Sequence, residues 1–67
     1  MDAELKAQVK YARKQVRATR KAHWVADAGH VLPASLENWR TLRAAGARVV
    51  VLVRPRTGNR VQEVWTP

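Results

Sequence analysis

The stretch HWVADAGHVL, His23 to Leu32, decides the fold, because it admits two local structures. In the first, the helix running through the preceding residues continues across His23 and Trp24 and stops by Gly29. That glycine suits the left-handed position after a last turn, and Pro33 follows closely. In the second, HWVA and HVL are short strands flanking a turn at DAG. Lys21, Ala22 and Ala26 favour helix, so the continued helix is the preferred reading, with its end between Ala22 and Ala28. The hairpin stays open as the alternative.

Upstream lies LKAQVKYARKQVRATRK, Leu5 to Lys21, with seven basic residues and no acidic one. On a helix at 100° per residue, Leu5, Val9, Ala12, Val16, Thr19 and His23 gather within an arc of about 80°, a narrow core-facing stripe. Lys6, Lys10, Arg13, Lys14, Arg17, Arg20 and Lys21 fall in an adjoining arc of about 120°, which also takes in Trp24. Without interleaved glutamates, these cations do not stabilise the helix through i,i+4 pairs; they repel one another. At a rise of about 1.5 Å per residue, Lys6 to Lys21 spans about 22 Å, enough to follow several phosphates. The competing reading is a solvated face that keeps a small protein soluble. Asp2 and Glu4 belong to the first turn, where carboxylates complement the positive helix end. A membrane-surface helix would need bulky apolar residues opposite its cations, and the valines and alanines here are too small.

Downstream, a second helix is expected from Ser35, its N-cap, through LENWRTLRAA to a stop at Gly46. Leu36, Trp39 and Leu42 share a face with the stem of Arg43, so Trp39 is expected in the core, with an exposed stacking role as the minority reading. ARVVVLVRP then reads as a strand buried on both faces, or on one with a partly covered reverse. NRVQEVWT is its hairpin partner after a loop built on PRTG. In that last strand Val61, Glu63 and Trp65 point one way, and Arg60, Gln62, Val64 and Thr66 the other. The expected fold is a small α+β single domain over residues 1–67: a long basic helix, a short helix and a C-terminal antiparallel hairpin, in the order α-α-β-β.

Arg54, Arg56 and Arg60 flank the hairpin turn, and Arg48 starts the first strand. The tip reads as mobile and donor-rich, suited to clamping a backbone; arginines at strand ends also guard against edge-to-edge aggregation. Every lysine lies within the first 21 positions and every later cation is arginine, the better bidentate ligand for phosphate or guanine. Any reading of base edges is therefore expected at the hairpin.

The 13 Lys and Arg against 5 Asp and Glu give a net charge of +8 in 67 residues, which makes nucleic acid the first suspect for a partner. The absence of cysteine excludes disulfides and thiolate metal sites and fits a reducing cytoplasm. No apolar run reaches a membrane span or the core of a signal peptide. His23, Asp27 and His30 have i, i+4, i+7 spacing, but Gly29 interrupts the helix that would make them converge on a metal. Nuclease chemistry needs clustered carboxylates with a lysine, whereas Asp27, Glu37 and Glu63 are single. Neither catalytic residues, nor a metal, nor a cofactor is expected.

These features point to a small non-enzymatic protein, of a type common among phages and mobile elements, that binds DNA or RNA. Lys6, Lys10, Arg13, Lys14, Arg17, Arg20 and Lys21 would hold phosphates, with Arg54, Arg56 and Arg60 at the hairpin tip. The alternative is an inhibitor or adaptor of anti-defence type, whose basic face docks on an acidic or nucleic-acid-binding surface of a larger host complex. A homodimer stays open, and no membrane partner is expected.

Overall fold

The structure is a computed structural model describing residues 3–66, the Ala28 side chain excepted; the capping role read for Asp2 lies outside the described residues. The elements are α1 (Ala3–Thr19), β1 (His23–Ala26), a 3-10 turn at Asp27–Gly29, β2 (His30–Pro33), α2 (Leu36–Ala44), β3 (Val49–Pro55) and β4 (Val61–Trp65). The α+β class holds, but the expected α-α-β-β order does not. Strands lie between the two helices, and HWVADAGHVL is the hairpin.

Two physical causes override the helical propensity of that stretch. The first is at the end of α1. Arg20 adopts φ +60°, the left-handed conformation, and its N–H donates to the Val16 carbonyl at 2.8 Å. This closes the helix at Thr19, before the expected interval from Ala22 to Ala28, and leaves Lys21 outside it. The second is pairing. β1 is flanked by β2 and β3, both antiparallel to it, so helix in this stretch would leave β3 unpaired along one side. The sheet order is β2-β1-β3-β4. β2 and β3 thus run parallel on either side of β1, and α2 makes the crossover between them.

Alternation along the strands sorts the side chains onto two faces. His23 opposite Val53 and Val25 opposite Val51 face α1, whose Val9, Ala12 and Val16 close the core. Val16, Val25, Val51 and Val53 are sealed from solvent, each burial worth about 1.5–3 kcal/mol. β3 accordingly has one buried face and a partly covered reverse. The stripe on α1 holds from Leu5 to Val16 only: Thr19 is exposed, and His23 is buried from β1.

On the other face, Leu52 stands between Trp24 and Val64, and α2 lies across this row. The limits of α2 follow its residues. Ser35 Oγ accepts from the Asn38 N–H at 3.1 Å. At the other end Gly46, with φ +70°, donates to the Arg43 carbonyl while Ala47 donates to that of Leu42, the paired bonds of a glycine-stopped helix. Only Leu42 of α2 is buried. Trp39 is 41% exposed and Leu36 65%, so Trp39 is not the core residue expected. It packs on Trp24, rings 5.6 Å apart and tilted by 58°. Trp24 is thereby placed on the face away from α1, outside the basic arc. No helix among the described residues is long and apolar enough to cross a membrane.

Candidate nucleic-acid interface

The basic flank of α1 faces β4. Measured from the buried line of Val9, Ala12 and Val16 at 100° per residue, Arg13 lies about 70° away, Lys6 about 90°, Arg17 about 110°, Lys10 about 130° and Lys14 about 170°. Arg13 and Arg17 reach down to β4 and the turn before it, while Lys6, Lys10 and Lys14 stand in solvent. Arg13 pairs with Glu63 of β4, whose other carboxylate oxygen accepts from Trp65 Nε1 at 3.2 Å. Between helix and strand runs a groove of about 570 Å³, lined by Lys6, Val9, Lys10, Arg13, Arg17 and Glu63.

At its far end the groove meets the β3–β4 turn, whose carbonyls point toward α1. Arg17 Nε donates to Asn59 O at 3.1 Å. Arg20 donates through Nη1 to Gly58 O at 2.6 Å and through Nη2 to Arg56 O at 3.1 Å. The tip expected to be mobile is therefore clamped to the end of α1. Of the five N–H donors on a guanidinium, Arg17 commits one and Arg20 two to these carbonyls, which leaves the others for solvent or a ligand.

The end of the helical cluster thus meets the hairpin turn, with divided roles, while Arg54, two residues after Leu52 and opposite Gln62, falls on the other face of β3. Lys6, Lys10, Lys14 and Lys21 are exposed cations; Arg13, Arg17 and Arg20 also hold the molecule together. At the hairpin, Arg56 donates to Gln62 Oε1 at 3.2 Å, while Arg54 and Arg60 are exposed at strand ends. Across all 13 cations, the pair of Arg13 and Glu63 is the one ion pair among the described residues.

His23, Asp27 and His30 do not line one helix face. His23 is buried with Nδ1 2.9 Å from Lys21 O, and the Asp27 carboxylate accepts from the Arg48 N–H at 2.9 Å, tying the start of β3 to the first hairpin. No group of three or more potential ligands is close enough to hold a metal among the described residues.

Compared with known families, characterised proteins and solved structures, the chain matches none.

Proposed function

We propose that the protein is a non-enzymatic, cytoplasmic nucleic-acid-binding protein whose polyanion site is the groove between α1 and β4, extended by the clamped hairpin tip. The observation that carries this reading is the groove itself. Four cations line it on consecutive turns of one helix, against a single carboxylate. Successive cations along a rigid helix match a repeating backbone charge, and each phosphate they neutralise releases condensed counterions. Affinity should therefore be governed by salt.

The test is fluorescence anisotropy with labelled duplex DNA, single-stranded DNA and RNA at three salt concentrations. Micromolar or tighter binding at low salt is expected, with a log-log slope near −3 to −5 for about four or five neutralised phosphates. Lys10→Ala should lower the magnitude of that slope by about 1 without changing which ligand is preferred. No binding of any oligonucleotide at low salt would end this reading and turn the search to an acidic protein surface.

A further inference from the structure

A second groove lies on the opposite side of the sheet, between α2 and the row of Trp24, Leu52 and Val64, with a volume of about 680 Å³. We infer that this groove takes unpaired nucleobases, so that the ligand is single-stranded nucleic acid with its backbone along α1 and following bases between α2 and the sheet. This rests on the nucleic-acid reading above and narrows it to one ligand class.

Three observations carry the inference. The first is the aromatic pair. Trp39 keeps 41% of its surface in solvent while leaning at 58° on Trp24, and a tilted pair leaves part of each ring face unstacked. Such faces accept any base, because every base has a π-surface. The second is charge. Among the described residues Arg43 and Arg48 line the groove and no carboxylate side chain does, so a planar group carrying phosphate is attracted where an isolated apolar side chain would gain nothing from them.

The third is placement. Glu63 lines the basic groove and Val64 lines this one, and consecutive residues of a strand point to opposite faces. The two grooves therefore adjoin across β4, a strand at the edge of the sheet. A flexible single strand can turn around that edge and occupy both. A duplex, straight over roughly 150 base pairs, cannot fold around one strand. An acidic peptide in the α2 groove would leave the lysines of α1 uncovered. A second copy of the chain would set Arg43 and Arg48 against a molecule with the same +8 charge.

The experiment compares a 12-nucleotide single strand with the corresponding 12-base-pair duplex, read by anisotropy and by intrinsic tryptophan fluorescence. The variants are Trp39→Leu, Arg43→Ala and Lys10→Glu, with circular dichroism as the check on folding. Leucine keeps an apolar side chain over Trp24 but removes the stacking surface. Trp39→Leu should weaken single-strand binding about 5- to 150-fold and leave duplex binding unchanged, and quenching by the single strand should be reduced in that variant. Arg43→Ala, at an exposed position, should show the same selectivity and serves if Trp39→Leu does not fold. Wild-type single-strand affinity in both variants, together with loss in Lys10→Glu, would overturn the inference and leave the nucleic-acid reading standing. Absence of binding by either oligonucleotide to the wild type would remove both. Quenching by an acidic amphipathic peptide and not by the single strand, or sedimentation as a dimer that Trp39→Leu abolishes, would give the groove to a protein and overturn the inference.

Discussion

Arg20 and Gly58 are joined by a 2.6 Å hydrogen bond from guanidinium to carbonyl, and Arg20 makes it from a left-handed backbone conformation. A side chain with a Cβ costs roughly 1–2 kcal/mol there. The contact with the hairpin tip accompanies that strain, and it ties the end of α1 to the β3–β4 turn.

Substitution at Arg20 separates the two effects. Arg20→Gly relieves the backbone and removes the clamp, whereas Arg20→Ala removes the clamp and keeps the strain. Arg20→Ala should be less stable than Arg20→Gly by about 1 kcal/mol in urea denaturation. Both should exchange the Arg56 amide, bonded to Arg60 O, faster than the wild type. Equal stability of the two variants would show that the strain at this position does not exceed the freedom that glycine adds to the unfolded chain.

Burial predicts an order of mutational cost that residue size alone would reverse. Val51→Ala, at a position with no exposure, should cost about 2–3 kcal/mol, and Trp39→Ala, half in solvent, about 1–2 kcal/mol. Urea midpoints at constant m-value give the comparison. A larger loss at Trp39 would mean that α2 is held to the sheet more firmly than its exposure indicates.

Glu63 places a negative charge within the basic groove. Glu63→Gln removes the charge and keeps one carbonyl, which can accept from Arg13 or from Trp65 but not from both in their present places. Oligonucleotide affinity at low salt should rise about 3- to 10-fold, with the gain shrinking as salt increases. Stability should change by less than about 1 kcal/mol, since the pair is partly exposed. Unchanged or weaker binding by a folded variant would mean that the charge on Glu63 serves to position Arg13.

The legible parts of this fold are those written in local chemistry. Ser35 and Gly46 bracket α2, the valines of β3 and the alternation of β4 specify the second hairpin, and Val9, Ala12 and Val16 mark the buried line of α1. The end of α1 was not legible, because helices commonly close on glycine or asparagine and here an arginine takes the left-handed position against a distant carbonyl. β1 is four residues long, too short for its periodicity to decide against helix, and its pairing with β3 depends on residues far along the chain. The candidate site divides in the same way. Five cations of α1, Lys6, Lys10, Arg13, Lys14 and Arg17, were readable as one flank, whereas Arg20 and Lys21, expected with them, lie beyond the helix end. Which of them the hairpin would claim was not readable, since the acceptors at Arg56, Gly58 and Asn59 are main-chain carbonyls, which every residue carries.

The interior position of β1 in the sheet bears on how the chain is made. α1 and the β1–β2 hairpin leave the ribosome before the residues that seal Val25, namely Val51 and Val53 of β3. A lone two-stranded hairpin is marginal in water, so the nascent chain has no closed core until β3 has emerged. At about 5–20 residues per second, the valine line of α1 stays uncovered for a few seconds of every synthesis. A chain cut short before Val49 would never leave that state. We expect pulse-labelled truncations ending at Ala47 to be degraded quickly, and truncations ending at Pro55 to be degraded more slowly.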